Sequence, residues 1–122
     1  MHPCIQARER PDHLAQIIWE TGETLTYREL DQRSNQGAHL FRANGLKPGD
    51  TIAIFLENHP RFLEIAWAAQ RSGLYFVCIS SKLTAAEAEY IVRDSESKLV
   101  VTSTGIGEEG EALAALVADL PV

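Results

Sequence analysis

The chain is poor in cysteine and has no long apolar run. Its two cysteines, Cys4 and Cys78, lie far apart, and no CxxC pair or Cys/His cluster accompanies them. This usage is typical of free thiols in a reducing compartment and argues against a disulfide framework or a structural metal site. The start, MHPCIQARER, contains no apolar signal core, and no apolar run approaches the ~20 residues that span a bilayer. We therefore expect a cytoplasmic protein without a membrane span.

The sequence also lacks an excess of basic residues. Its formal net charge is -6 over 122 residues, whereas nucleic acids and anionic membranes both attract a basic face. Hydrophobic residues make up 45% and charged residues 23%, which is the composition of a globular domain. The length predicts a single domain over residues 1–122 that does not bind nucleic acid. Enzyme, scaffold and protein-binding functions all remain open.

Residues 49–84 carry the clearest structural pattern. Two short apolar runs, 51–56 and 74–80, flank a helical segment that begins at Pro60 and ends at Gly73. Parallel strands need such a crossover, so this stretch predicts a β-α-β unit with both strands buried. The few polar positions of the helix are Arg61, Glu64 and Arg71. So apolar a helix predicts a partner surface that a single small domain does not supply.

Capping signals delimit the remaining elements. Thr26 with Glu29, and Thr84 with Glu87, form capping boxes that each begin a helix. Gly37, inside the first of these helices, costs about 1 kcal/mol relative to alanine and marks either close packing or drift. The other expected elements are an irregular tail over 1–13, a β-hairpin within 14–26, helices over 26–44, 85–94 and 111–120, and a strand over 98–102. The pattern predicts an α/β fold, an open and mostly parallel Rossmann-like sheet with flanking helices.

A glycine-rich segment at 105–110 satisfies GxGxxG between an expected strand and an expected helix, through Gly105, Gly107 and Gly110. Such a fingerprint binds a dinucleotide because backbone N–H groups and a helix N-terminus receive the pyrophosphate. Here two glutamates occupy the loop, and the sequence ends before the acidic residue expected about 20 positions later. A solvated loop whose glutamates favour a helix N-terminus is the interpretation we prefer. The overlapping turn at 102–105 is rich in hydroxyls, but no lysine follows it, so we expect a self-capped loop.

Glu57, Asn58 and His59 follow the first central strand, at the edge where open α/β sheets bind ligands. A histidine beside a carboxylate can act as an acid/base pair. The alternative, which we favour, is a helix start with Asn58 or His59 as N-cap and Pro60 in the first turn. Asn58 and His59 are thus the only candidate cofactor contacts. The equivalent positions after the second strand are Ser80, Ser81 and Lys82. The remaining histidines, expected at the surface, are His2, His13 and His39.

A set of short motifs runs through residues 25–103. They are Thr26-Tyr27-x-Glu29-Leu30, Ser34-Asn35, Gly45-Leu46-x-x-Gly49-Asp50, Ala53-Ile54, Asn58, the Ala-rich helix ending in Gly73, Leu83-Thr84, and Asp94-Ser95 before Lys98-Leu99. In this combination the run resembles the N-terminal subdomain of the AMP-forming acyl-CoA synthetases, within the acyl/aryl-CoA ligase, adenylation-domain and luciferase superfamily. Residues 80–84 are more similar to CoA ligases than to peptide-synthetase adenylation domains. Gly37 and Cys78 stand where the family often has a larger aliphatic residue and a proline.

The resemblance implies a large N-terminal adenylating domain, of which this chain is a part, and a small mobile C-terminal domain. It implies that a carboxylate attacks ATP to give an acyl-adenylate and pyrophosphate, and that coenzyme A then forms the thioester, with Mg²⁺ on the phosphates. The family's phosphate loop, Tyr-Gly-x-Thr-Glu segment, ribose-binding Asp, hinge and catalytic Lys are all absent here. We expect no catalytic residue, metal ligand or cofactor in the fragment itself, and the remainder of the parent enzyme as its partner.

Three hypotheses follow. The first is that the chain is the N-terminal structural portion of an acid–CoA ligase and is inactive by itself. The second is a nucleotide-binding α/β domain that uses residues 105–110. The third is a stand-alone interaction module whose apolar helix around Trp67 docks a partner. For a fragment or a module we expect an exposed apolar face and hence homo-oligomers.

Overall fold

A computed structural model describes residues 2–122 and contains ten helices and strands in that range. They are α1 Pro3–Glu9, β1 Leu14–Ile17, β2 Thr24–Thr26, α2 Tyr27–Ala43, β3 Thr51–Phe55, α3 Phe62–Arg71, β4 Tyr75–Ile79, α4 Ala85–Asp94, β5 Leu99–Thr102 and α5 Glu108–Leu116. A 3₁₀ turn, Thr104–Ile106, lies between β5 and α5. Within the described range, no helix combines the length and the apolar character needed to cross a membrane.

The three central strands form a parallel sheet in the order β4-β3-β5, which confirms the predicted α/β class. β3 lies in the middle of the sheet, and its side chains are therefore buried on both faces. Ile52 and Ile54 pack towards α2 and α3 on one face. Ala53 and Phe55 pack towards α4 and α5 on the other. The predicted hairpin is also confirmed, since β1 and β2 pair antiparallel as a separate two-stranded sheet.

Both predicted capping boxes are present. The Thr26 hydroxyl accepts a hydrogen bond from the Glu29 N–H at 3.2 Å, and Thr84 accepts from Glu87 at 3.3 Å. Each glutamate side chain returns to the N–H of its threonine. Gly45 follows α2 with φ +81°, a left-handed conformation that ends the helix. Local sequence therefore determines where these two helices begin.

Gly37 lies where α2 packs against α3. A Cβ atom at position 37 would lie 2.8 Å from the Cβ of Ala68. Carbon atoms in contact normally stay about 3.5–4.0 Å apart, so this crossing admits only hydrogen on the α2 side. Of the two explanations for this glycine, close packing is the one that the structure supports.

The prediction of an irregular tail over residues 1–13 is wrong for residues 3–9, which form α1. The His2 ring accepts a hydrogen bond from the Cys4 N–H at 3.1 Å, and Pro3 occupies the first turn, where its missing N–H costs nothing. The His2 ring also meets Trp67 edge-on at 5.0 Å. A seven-residue helix is unstable by itself, and α1 forms because it packs on α2 and Trp67.

Of the three polar positions named for this helix, Arg71 and Glu64 are largely covered, whereas Arg61 is exposed. The Arg71 side chain is only 18% exposed and lies 2.7 Å from Asp31 Oδ1 on α2. Glu64 is 12% exposed and lies near two arginines. Partners on α2 therefore cover part of this helix, although Leu63 remains exposed. α3 also begins at Phe62, two residues after the predicted start.

β4 was predicted to be buried and is instead the exposed edge of the sheet. Tyr75 is 69% exposed, Phe76 is 39% exposed and Cys78 is exposed. The strand pairs with β3 over all five residues, but no strand pairs with its other side within the described range. Its apolar composition indicated a central strand, whereas its position in the sheet order leaves it uncovered.

The last helix begins at Glu108, three residues before the predicted position, and ends at Leu116. Three glutamates lie in its first turn, where the positive end of the helix dipole favours them. Gly110 is consequently part of the helix and is buried, rather than lying in a loop.

Candidate functional site

β3 leads into α3 on one face of the sheet, whereas its neighbour β5 leads into α5 on the other face, so the carboxyl ends of β3 and β5 form a topological switch point. Ligands of open α/β sheets bind at such points. Glu57 follows β3 here, and Ser103 follows β5. The Ser103 hydroxyl lies 2.8 and 2.7 Å from the two Glu57 carboxylate oxygens, and it accepts a hydrogen bond from the Gly105 N–H at 3.1 Å. The pair thus joins the ends of two neighbouring strands.

The surroundings of Glu57 set its charge. Burial raises the pKa of this carboxyl, but the Ser103 hydroxyl, the backbone of Glu57 and the nearby His59 together outweigh burial, so the pKa lies below its ordinary value. Glu57 is therefore ionised at neutral pH. A carboxylate held in this way acts as a hydrogen-bond acceptor rather than as a general acid.

His59 takes part in the entry to α3 rather than in an acid/base pair. Its Nδ1 accepts a hydrogen bond from the Arg61 N–H at 3.0 Å, and its carbonyl accepts one from Phe62 at 3.0 Å. Glu57 directs its carboxylate to Ser103 instead. The predicted N-cap is nevertheless wrong, because Arg61 is the N-cap of α3 and no side chain caps this helix, while His59 lies in the preceding turn and Asn58 is exposed. The sequence argument missed Ser103 as the partner of Glu57 because strand order, not spacing, brings them together.

The segment 105–110 is arranged as a helix entry that disfavours a pyrophosphate. Gly105 lies directly against the Glu57 carboxylate, so a side chain there would collide with it. Glu109 Oε2 accepts a hydrogen bond from the Ala85 N–H at 2.5 Å and thereby caps the first turn of α4. Glu109 and the other glutamates in the first turn of α5 surround the N-terminus of α5 with negative charge. An anionic ligand would be repelled by this charge.

The other polar candidates do not converge on a site. Ser80 accepts a hydrogen bond from the Lys82 N–H at 3.3 Å in an exposed turn after β4. His13 and His39 are exposed, as expected. His2 is not a plain surface residue, because it caps α1, and burial with the nearby Arg71 lowers its pKa. Across residues 2–122, no three His, Cys, Asp or Glu side chains come together as a metal site.

A feature that sequence reasoning missed is a concave cleft between α2, α3 and the ends of β3 and β5, here called the α2–α3 cleft. Its volume is about 390 Å³. The apolar part of its wall includes Phe41, Leu56, Ile65 and Val101. Its polar part includes Arg33, Arg61, Glu64 and Ser103. The one sequence signal for it was Gly37, which also lines the cleft and brings α2 close to α3.

Comparison with known proteins extends what the geometry indicates. The family model described as AMP-binding enzyme matches residues 5–121, which is nearly the whole chain. The chain belongs to the AMP-binding enzyme family. The resemblance drawn from residues 25–103 is thereby confirmed, and the matched region extends beyond it at both ends.

Relatives and solved structures of this family agree with that assignment. A feruloyl-CoA synthase of Amycolatopsis sp. is 34% identical over 116 residues, covering 95% of this chain and 23% of that protein. A fatty acid–[acyl-carrier-protein] ligase, ScoC, of Streptomyces coeruleorubidus is 35% identical, covering 77% of this chain and 18% of that protein. The structure of a Mycobacterium tuberculosis fatty acyl CoA synthetase superposes with a TM-score of 0.84 at 28% identity, covering 98% of this chain and 24% of that one.

The matched part of the family is an N-terminal one. The N-terminal domain of FACL13 from Mycobacterium tuberculosis superposes with a TM-score of 0.84 at 26% identity, over 93% of this chain and 29% of that domain. The chain therefore spans less than a third of the length of these relatives. It corresponds to a portion of the adenylating domain, with the fold class predicted from the sequence.

Replacing Ser103 with alanine tests the bridge between β3 and β5. We expect the free energy of unfolding to fall by about 1 kcal/mol, because the Glu57 carboxylate loses its hydroxyl partner while staying partly buried. The pKa of Glu57 should rise, which carbon-detected NMR of the carboxyl group can follow during a pH titration. A carboxyl whose pKa is lowered by folding stabilises the folded state at pH values above its unfolded pKa, and this stabilisation disappears as pH falls through the folded pKa. Because Ser103→Ala makes the lowering smaller, the variant should lose less stability than the original chain when the pH is lowered. Thr104→Ala, in the same exposed turn, is the control and should leave the Glu57 titration unchanged. An unchanged titration in Ser103→Ala would contradict the bridge.

Proposed function

We propose that the chain is the N-terminal structural portion of an AMP-forming acid–CoA ligase, which converts a carboxylic acid, ATP and coenzyme A into acyl-CoA, AMP and pyrophosphate. The observation that carries the proposal is the family match over residues 5–121, together with acyl-CoA synthetases among the similar proteins. In this view the single domain 1–122 contributes one sheet and its flanking helices as support for the catalytic parts of a cytoplasmic enzyme.

ATP, Mg²⁺ and coenzyme A are assigned to the remainder of the parent enzyme rather than to this chain. The glycine-rich segment 105–110 does not fit a triphosphate, because glutamates surround it and no lysine follows. The Glu57–Ser103 pair is closed on itself, which leaves Asn58 and His59 as the only edge residues proposed to touch a ligand there. We derive no catalytic step from these residues, and the isolated chain is proposed to be inactive.

The proposed partner of the chain is that remainder, and exposed apolar residues support such a partner. Trp19 on the hairpin is 91% exposed, and Ile17 and Leu63 are exposed as well. The three side chains line one depression of the surface, and exposed apolar surface of this kind is typical of interfaces. Without the remainder, the chain is proposed to self-associate, and the uncovered edge of β4 is the surface to which we assign this tendency.

A chimaera tests the proposed function. The segment of the Amycolatopsis feruloyl-CoA synthase that aligns with this chain is replaced by residues 1–122, and ATP-dependent CoA ligation is measured. A scaffold role predicts activity within about tenfold of the parental synthase, a difference of about 1.4 kcal/mol in the barrier. The control chimaera carries the same segment with Gly37→Leu, which disturbs the α2–α3 packing. A soluble, folded chimaera with no ligase activity would contradict the proposal.

A further inference from the structure

We propose that β4 pairs with β4 of a second copy of this chain, in antiparallel orientation about a two-fold axis at Val77. The pairing joins the two three-stranded sheets into one continuous sheet, with strand order β5-β3-β4-β4-β3-β5. This inference names the partner and the register of the self-association proposed above, and it rests on that part of the proposed function alone. A two-fold dimer is isologous, so each copy presents the same edge to the other.

The backbone of β4 leaves a defined set of polar groups at the edge. The Tyr75 N–H donates to the Asp50 carbonyl at 2.9 Å, so the backbone groups of Tyr75 point to β3. Because backbone groups alternate between the two sides of a strand, Val77 also faces β3, whereas Phe76 and Cys78 face outward. Each of these two residues offers one N–H and one carbonyl, and no strand pairs with them among residues 2–122. The edge is therefore ready to accept another strand.

The edge is accessible from both faces of the sheet. Phe76 and Cys78 lie beside Ile52 and Ile54 of β3, so their side chains project on the face of α2 and α3. Tyr75 projects on the opposite face, because side chains alternate along a strand. All three of these β4 side chains are exposed. Neither layer of helices overhangs the edge, and a second strand can approach it.

The outward-facing residues select the register. An axis at Val77 places Phe76 of one copy opposite Cys78 of the other, twice. In an antiparallel ladder, two opposed residues that face each other exchange both of their N–H to carbonyl bonds. The pairing thus uses every outward-facing backbone group of Phe76 and Cys78 in both copies.

Bonds within the chain disfavour the neighbouring registers. A shift by one residue towards the start of β4 brings Leu74 into the ladder, but its N–H already donates to the Ala69 carbonyl at 2.9 Å. A shift towards the end brings in Ser80, which follows the strand and whose carbonyl already accepts from the Leu83 N–H at 3.1 Å. The axis at Val77 is the one that keeps the ladder within the strand.

The edge suits a second copy of itself. Its five residues, YFVCI, carry no charge, so two chains that each have a net charge of -6 meet here without like charges directly opposite each other. Across the axis the bulky Phe76 ring lies opposite the small Cys78 side chain, and Val77 lies opposite Val77. A strand with charged residues would have to place them against Phe76 or Val77. These features favour the second copy as the occupant of the edge.

Single-cysteine variants of the full 122-residue chain locate the axis by disulfide cross-linking. All carry Cys4→Ser; the first keeps Cys78, the second carries Val77→Cys with Cys78→Ser, and the third carries Phe76→Cys with Cys78→Ser. Residues directly opposite each other in an antiparallel ladder have Cα atoms about 4.5–5.5 Å apart, within the disulfide range of roughly 4.4–6.8 Å. Diagonal neighbours lie about 7–8 Å apart, too far for an unstrained bridge.

The rate of dimer formation with oxidised glutathione is divided by the rate at which each thiol reacts with a small disulfide reagent. We expect position 77 to cross-link at least about tenfold faster than positions 76 and 78, although Val77 is half-buried and Cys78 is exposed. Tyr90→Cys with Cys78→Ser, on α4, is the control for random collisions. Fastest cross-linking at position 76 or 78 would overturn the register, and equal rates in all four chains would overturn the pairing.

A measurement on the original chain provides a test that does not depend on the folding of any variant. In an equal mixture of ¹³C-labelled and unlabelled chain, an isotope-filtered NOE spectrum reports only contacts between copies. With reductant present, we expect contacts between the Phe76 ring and the Cys78 side chain. A dimer without these contacts would overturn the register, and a strictly monomeric chain would overturn the pairing. The ligase activity of the chimaera is measured separately, so failure of this inference is distinguishable from failure of the scaffold role.

Discussion

Replacement of Gly37 with leucine is expected to lower the free energy of unfolding by about 3 kcal/mol. The reason is the distance of 2.8 Å between a Cβ at position 37 and the Cβ of Ala68, both on helix backbones that cannot move independently of the sheet. Leucine is a better helix former than glycine by several tenths of a kcal/mol, but the four added carbons would force α2 and α3 apart. Urea denaturation followed by circular dichroism measures the change.

A compensating pair distinguishes close packing from a general effect on α2. Gly37→Ala should destabilise because its methyl group meets Ala68, and Ala68→Gly should lose helix propensity. Together the two changes move the methyl group from α3 to α2, so the double variant should be more stable than the sum of the single effects. Asn35→Ala, on the exposed side of α2, is the control and should change stability by less than about 0.5 kcal/mol. Equal stability of Gly37→Leu and the original chain would refute the packing argument.

Replacement of Phe76 with lysine is expected to prevent the self-association that we propose for the chain. β4 presents five residues, YFVCI, with no charge, proline or bulge, and its outer edge is unpaired in the described chain. Such an edge pairs with strands of other molecules unless a lysine or another blocking residue prevents the pairing. Sedimentation equilibrium over a concentration series, with reductant present so that Cys78 does not cross-link, gives the mass of each species.

The matched control places the same charge on another exposed aromatic residue. Tyr90 lies on α4 and is 71% exposed, so Tyr90→Lys changes net charge equally without touching the β4 edge. We expect Tyr90→Lys to associate like the original chain. If the original chain is strictly monomeric at all concentrations, or if both lysine variants associate to the same extent, β4 is not the surface responsible.

The sequence was most informative where structure depends on neighbours along the chain. The Thr26–Glu29 and Thr84–Glu87 boxes place the starts of α2 and α4 correctly because both partners lie within one helical turn. The apolar run after Thr51 likewise identifies β3, since a strand buried on both faces needs no alternation. From these elements, the β-α-β pattern and its parallel sheet follow.

Features that depend on three-dimensional order could not be predicted from the sequence. The composition of β4 resembles that of β3, and only the sheet order β4-β3-β5 exposes one and buries the other. α1 is too short to be stable by propensity and depends on contacts with α2 and Trp67. Arg71 finds Asp31 forty residues away, which no helical spacing reveals.

The candidate site, too, was predictable in its local parts and unpredictable where separate elements meet. A helix after the carboxyl end of β3 was predicted correctly, but its N-cap is Arg61 rather than Asn58 or His59. The pairing of Glu57 with Ser103 and the convergence of Arg33 and Arg61 on Glu64 depend on the relative positions of separate elements. The α2–α3 cleft forms where α2, α3 and the ends of β3 and β5 meet in the fold, so no sequence motif could predict it.

ATP–pyrophosphate exchange by the purified 122-residue chain tests the central claim most directly. The assay supplies Mg²⁺, ATP, labelled pyrophosphate and a panel of aliphatic and aromatic acids, with an intact acyl-CoA synthetase as the positive control. A structural portion without its own adenylating machinery predicts no exchange above background with any acid. Exchange that co-purifies with the chain and depends on an added acid would contradict the account and would place catalytic residues within this domain.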